Sequence, residues 1–231
     1  MGAPELDAFV LWLTQRHRVI LLGGLAVIAH GLSRATKDAD VWLEPMASRE
    51  AWAHAVAEAV ATFPRTRLAR LPHWTAIQSE AEIAQTADEI GMVRVLGLEC
   101  PLDIFRRPNE IEEDAFDEMW QRATRKDDGV FLPDAVDLLL SKQDTGRHSD
   151  QADIHFLESK IRGEFGARLS VATPEEAEAI FARYVDHAVC ESALANPHAA
   201  VRERAKALLA ELAESGDWFA RDILARLAGG L

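Results

Sequence analysis

Two aspartates, Asp38 and Asp40, stand one residue apart at the start of an apolar run. In an extended strand, side chains alternate faces, so these two carboxylates point the same way while Ala39 and Val41 point to the other face. Carboxylates held side by side repel each other unless a cation lies between them. Hard oxygen donors at short, fixed spacing suit Mg²⁺ or Mn²⁺. Upstream, a second apolar run, Val19–Leu22, ends in Gly23-Gly24 and leads into a helix-length segment. Paired glycines let the backbone come close to a ligand, and a helix start behind them favours phosphate. Together these residues describe a site for a metal-bound triphosphate.

Three further groups could complete it. Cys100-Pro101-Leu102-Asp103-Ile104-Phe105 reads as a strand in which Asp103 is the only acid, a carboxylate that could accept a proton. Ser33-Arg34-Ala35-Thr36-Lys37 precedes the acid pair, where Arg34 could hold a phosphate bidentately and Thr36 could fix the strand entrance. The segment Leu138–Glu158 carries Lys142, Arg147, Asp150 and Asp153 at short spacing across a helix, a loop and a second helix. Each group also has a plain structural reading. Asp38 would cap a turn, Asp103 would pair with Arg106, and Asp150 and Asp153 would be first-turn helix charges favoured by the dipole. Lys142 is expected to point its ammonium into the cleft within reach of Asp150 or Asp153, as a surface residue whose removal leaves the melting temperature nearly unchanged; its plain reading is a solvated helix residue.

The order of these residues resembles the signature of the DNA polymerase β-like nucleotidyltransferase superfamily. Here Leu22-Gly23-Gly24 is followed by thirteen residues and then Asp38-Ala39-Asp40, with Leu102-Asp103-Ile104 in the place of the third acid. The Arg34-x-Thr36-x-Asp38-x-Asp40 pattern and the Lys142…Arg147…Asp150-x-x-Asp153 pattern resemble the AbiEii-type toxins and related small nucleotidyltransferases. Ser149 stands where that pattern often has lysine. The resemblance implies an α/β (α+β) fold, a mixed twisted sheet flanked by helices. It implies Mg²⁺ (or Mn²⁺) on Asp38, Asp40 and Asp103, and an NTP held by Gly23, Gly24, Arg34, Thr36, Lys142, Arg147, Asp150 and Asp153. The implied activity is transfer of an NMP group to a hydroxyl on RNA or protein, with a cognate antitoxin or other protein as partner. The rival reading is a module of the same fold that binds nucleotide or a partner without turnover.

The elements that must position these residues follow from periodicity and punctuation. Residues 4–17 place Leu6, Phe9, Val10 and Leu13 at helical spacing. Val19–Leu22 and Ala39–Leu43 read as strands and Leu25–Leu32 as a helix. Arg49–Phe63 reads as a helix closed by Pro64. Segment 65–90 holds a short strand and a polar loop or helix. Met92–Leu96 and Leu98–Phe105 read as strands joined near Gly97, and Asn109–Arg125 as a helix or loop-helix. Asp128-Gly129 marks a turn before Val130-Phe131-Leu132, Pro133-Asp134 opens a helix through Gln143, and another helix covers 149–160. From Gly163 onward the chain reads as all-helical, so a first domain of residues 1–162 and a helical region of 163–231 are expected. Thr173-Pro174-Glu175-Glu176 is a clear helix start, Asn196-Pro197 opens another helix, and Ser215-Gly216-Asp217 precedes a last one.

Composition narrows the classes. The chain has 231 residues and a net charge of -13, unlike a general nucleic-acid coat. Cys100 and Cys190 form no metal or redox spacing and read as free thiols of a reducing cytoplasm. The histidines lack zinc-like spacing. The six tryptophans read mostly as core, with Trp42 and Trp74 as candidates for stacking on a base. The apolar run Val19–Ala29 is too short to cross a bilayer, so no membrane partner is expected. No Walker A sequence, nucleophile elbow, HExxH or Cys-His dyad is present.

Overall fold

The computed structural model of the chain describes residues 6–108, 111–127, 129–143 and 148–229. Two compact units are present, one ending at His155 and the other beginning at Phe156. The first is a mixed α/β unit with an eight-stranded sheet. Its strands are β1 (Val19–Leu22), β2 (Ala39–Leu43), β3 (Arg67–Arg70), β4 (Thr75–Ile77), β5 (Met92–Leu96), β6 (Leu102–Phe105), β7 (Thr124–Arg125) and β8 (Phe131–Leu132). Their order across the sheet is β4-β3-β5-β6-β2-β1-β8-β7. The β2/β6 and β1/β8 pairs are parallel and the other pairs antiparallel.

Period-2 alternation divides this sheet into two chemically different faces. Val19, Ala39, Val41, Leu43, Leu68, Val93, Val95, Leu102 and Ile104 form one buried cluster. Into it pack Phe9 and Leu13 of α1 (Leu6–Thr14), Trp52, Ala53 and Val56 of α3 (Arg49–Thr62), and Ile83, Ala84 and Ala87 of α4 (Glu80–Ile90). The residues between them in sequence belong to the opposite face. There Ile20, Leu22 and Trp42 pack with Phe116 and Met119 of α5 (Ala115–Arg122). The same face carries Asp40, Asp103 and Arg94. In-register pairing sets Asp40 beside Asp103 and Asp103 beside Arg94.

Several expected boundaries move. The helix after β1 is α2 (Gly23–Ala29), and it begins on the glycines themselves. Gly23 has φ +60°, which joins strand to helix without a connecting loop. Segment 65–90 resolves into the β3–β4 hairpin followed by α4, whose N-cap Ser79 accepts from the Glu82 N–H at 3.2 Å. Only Leu102–Phe105 of the expected strand 98–105 is extended; within the helix or loop-helix expected over 109–125, α5 covers Ala115–Arg122 and Thr124–Arg125 is instead strand β7. The helix opened by Pro133-Asp134 is α6 (Ala135–Leu140), capped by Asp134. The helix expected over 149–160 is α7 (His148–Leu169), which runs through Gly163. A single exposed glycine costs a helix only about 1 kcal/mol, too little to end one already 15 residues long at that point.

In the second unit, α8 (Pro174–Phe181), α9 (His187–Ala193), α10 (Ala199–Glu214) and α11 (Trp218–Ala228) bury Ile180, Phe181, Val189, Cys190, Val201, Leu208, Leu209 and Ile223 together. The expected capping box at Thr173 and Glu176 is present. Asn196 does not cap the next helix. Its side chain is 1 % exposed, donates to the carbonyls of Leu169 and Ala172 at 2.6 and 2.9 Å, and accepts from the His198 N–H at 2.7 Å. Among the described residues, no helix is long and apolar enough to cross a membrane.

Candidate functional site

The end of the sheet where β1 stops and β2 and β6 begin opens into a cleft of about 840 Å³. Gly24, Arg34, Thr36, Asp38, Asp40, Arg94, Asp103, Lys142 and Asp150 all line it. Local rules explain why they meet. Asp40 and Asp103 start two parallel strands in register, so their side chains stand side by side on the face away from α3 and α4. Leu22 pairs with Asp40 across the β1/β2 ladder, which brings the following glycine under the Asp40 carboxylate. A Cβ on Gly23 would overlap that carboxylate, and its positive φ disfavours any side chain. A Cβ on Gly24 would lie 2.7 Å from Thr36 Oγ1 and 2.9 Å from Arg34 Nη2. Glycine at both positions therefore lets the Arg34–Asp40 segment lie directly on the turn. The Thr36 hydroxyl donates to the Asp38 carbonyl at 3.0 Å and fixes the entry into β2.

The cations of the site are held by buried acids. Asp153 is wholly buried and accepts from Arg34 Nη1 on both oxygens at 2.5 Å. Lys142 Nζ lies 3.1 Å from Asp153 and 3.2 Å from Asp150. Asp150 and Asp153 come from the first turns of α7, where the helix dipole favours acids, but their partners show that they also anchor two cations of the cleft. Lys142 itself is 8 % exposed. The ammonium reaches Asp150 and Asp153 in the cleft wall as expected, but the lysine is buried in an ionic cluster and is not the surface residue whose removal would leave stability unchanged. Arg147 lies outside the described residues, as does the side chain of Ser149.

Sequence reasoning missed Arg94. Its Nε and Nη2 each donate to one oxygen of Asp103, both at 2.6 Å, and Nη2 reaches Asp38 at 3.4 Å. The alternative pairing of Asp103 with Arg106 does not occur; Arg106 pairs with Glu113 at 2.6 Å. A signal for Arg94 existed. It is the single charged residue in the apolar strand Met92-Val93-Arg94-Val95-Leu96, and such a residue needs a partner on the face it occupies.

The carboxylates do not share one environment. Asp40 has its carboxyl pushed up from 3.8 to about 7, first by burial, then by the negative charges of Asp103 and Asp38. Lys142 and Arg94 oppose the shift without cancelling it. Mutual repulsion was the expected main cause; burial is the larger one. The three acids were also expected to close into a cage around one ion. Among the described residues, no three acidic, histidine or cysteine side chains are arranged to hold a metal ion. The physical reason is Arg94, which takes both oxygens of Asp103 and reaches toward Asp38, so a guanidinium stands between the outer two carboxylates.

No family model matches the chain, and no curated protein matches its sequence.

Proposed function

We propose that the first unit is a nucleotidyltransferase-like domain that moves a nucleotidyl group from an NTP to an acceptor hydroxyl with Mg²⁺ or Mn²⁺. One observation carries the reading. Asp38, Asp40 and Asp103 share a single cleft with a side-chain-free turn at Gly23-Gly24 and with two anchored cations, Arg34 and Lys142. A volume of about 840 Å³ is in the range of small-molecule sites.

The donor set suits a hard divalent ion, since carboxylate oxygens are its preferred ligands. Burial first, and then the charges of Asp103 and Asp38, make ionisation of Asp40 costly, a cost that a cation bound beside it would offset. Asp38 and Asp40 would hold the ion, and Asp103 would join them once Arg94 releases it. When bound, the ion neutralises triphosphate charge and polarises the α-phosphorus. Arg34 and Lys142 hold the phosphates and receive the charge that builds on departing pyrophosphate. α2 is only seven residues long, so these two cations, more than the helix dipole, supply the positive field. The acceptor oxygen bonds to the α-phosphorus as the bond to pyrophosphate breaks, and its proton passes to a carboxylate. Asp103 can take that proton only after Arg94 lets go of its oxygens.

The resemblance to AbiEii-type proteins extends the proposal to RNA or protein acceptors and to a toxin–antitoxin setting. A second reading is favoured by Arg94 alone: with Asp103 fully engaged, the cleft would bind nucleotide or a partner without turnover. Incubation of the chain with each α-labelled NTP and Mg²⁺ in a cell lysate separates the two. A labelled macromolecule that is lost with Asp40→Ala supports transfer. Calorimetric binding of Mg-NTP with no label transferred to anything supports the non-catalytic module. No binding at millimolar Mg-NTP refutes both.

A further inference from the structure

The cleft has two halves of different chemistry. Gly24, Arg34, Thr36 and Lys142 are grouped toward β1 and α2, while Leu71, Pro72, Ile90, Met92 and Phe105 give the β5–β3 side an apolar wall. Asp40 on β2 is three strand spacings from β3, roughly 14 Å at about 4.8 Å each. A nucleoside triphosphate is divided the same way, with a polyanion at one end and a flat, weakly polar ring at the other.

Trp74, two residues after Pro72, does not itself line the cleft but stands beside Arg94, which does. It closes the β3–β4 hairpin with φ +58°, a conformation uncommon for a bulky side chain and one that recurs at ligand clamps. Its ring is 52 % exposed, although a tryptophan is normally the side chain a fold gains most by covering. The Arg94 guanidinium lies 5.2 Å from the ring centroid, so the same arginine that binds Asp103 and reaches Asp38 also supports Trp74. Trp42, by contrast, is fully buried and donates its indole N–H to the Arg106 carbonyl at 2.9 Å, which assigns it to the core.

We infer that Trp74 is a stacking platform for the nucleobase of the bound NTP, with Arg94 as the cation that ties it to the acidic centre. This rests on the nucleotide reading above and adds the base subsite to it. Stacking is tolerant of base identity, because every base has a π-face. The platform therefore predicts affinity for the base without sharp discrimination among the four NTPs.

The test compares Mg-tripolyphosphate, which has no base, with Mg-ATP and Mg-CTP on the full chain by calorimetry, using wild type, Trp74→Phe and Trp74→Ala. Melting curves check that each variant is folded. Wild type should bind both NTPs about ten- to a hundredfold more tightly than tripolyphosphate. Trp74→Ala should erase that difference while leaving tripolyphosphate affinity unchanged, and Trp74→Phe should retain most of it. Equal affinity for NTP and tripolyphosphate in wild type overturns the platform while leaving the phosphate site intact. So does a Trp74→Ala variant that keeps the NTP preference. Failure of all three ligands to bind overturns the platform and the nucleotide reading together.

Discussion

Replacing Asp40 with asparagine should make the metal-free protein more stable at alkaline pH. The Asp40 carboxyl ordinarily titrates at 3.8 and is pushed up to about 7, by burial and then by Asp103 and Asp38. A carboxyl raised on folding keeps its proton in the native state over a range where the unfolded chain has released it. The folded state therefore binds more protons between about pH 4 and 7, and this group's contribution to stability falls as pH rises through that window. At about 1.36 kcal/mol per pH unit, the two values differ by roughly 4 kcal/mol. Movement of Arg94 or Asp38 relieves part of this, so a gap of about 2 kcal/mol at pH 8 is expected. Asparagine has nearly the shape of the protonated acid and cannot ionise. Urea unfolding in EDTA at pH 5, 6, 7 and 8 should show the advantage of Asp40→Asn over wild type growing with pH up to about 7 and levelling off above it. At pH 8 the variant should be the more stable. Mg²⁺ should raise the stability of wild type at pH 8 by mass action and leave the variant nearly unmoved. Parallel pH curves, or a wild type that is the more stable protein at pH 8, would show that Asp40 is an ordinary solvated carboxylate and would remove the electrostatic basis of the cation site.

Lys142→Ala should be destabilising by about 3–5 kcal/mol, because it removes the ammonium that faces the buried carboxylates of Asp150 and Asp153. Differential scanning calorimetry would register this as a drop in Tm of the first unit, and an unchanged Tm would contradict the buried cluster. Gly23→Ala should lose about 1–3 kcal/mol through its positive φ and displace the Asp40 carboxylate; calorimetry should find Mg-tripolyphosphate binding lost. Asn196→Ala leaves two buried carbonyls and one N–H without their side-chain partner and should lower the unfolding free energy of the second unit by about 1–3 kcal/mol. A urea midpoint identical to wild type would argue against that role.

The sequence by itself determined the strands and the acids they carry. Val19–Leu22 and Ala39–Leu43 are apolar runs bounded by glycine or by charge, and their limits coincide with β1 and β2. Strand periodicity already separated Asp40 from the core residues Ala39 and Val41, and the Leu102-Asp103-Ile104 alternation already set Asp103 apart from the core, whereas Asp38 lies in the bend just before β2 rather than on the strand. These are local properties, fixed by side-chain type and a two-residue repeat. Tertiary structure decided what each acid faces. The parallel register of β2 with β6 makes Asp40 and Asp103 neighbours, and the antiparallel register of β5 with β6 puts Arg94 on Asp103. Residues nine and 56 positions away from Arg94 thus become its partners, at separations no local pattern encodes. The same holds for Arg34 and Asp153, which are 119 residues apart. Burial of Lys142 depends on how α7 enters beside α6, so a lysine that reads as a surface cation becomes an interior one. The segment 65–90 was least legible because β3 and β4 are four and three residues long, and their pairing with β5 stabilises a hairpin that its own residues specify weakly. That hairpin carries Trp74 to Arg94, because strand pairing brings β3 alongside β5.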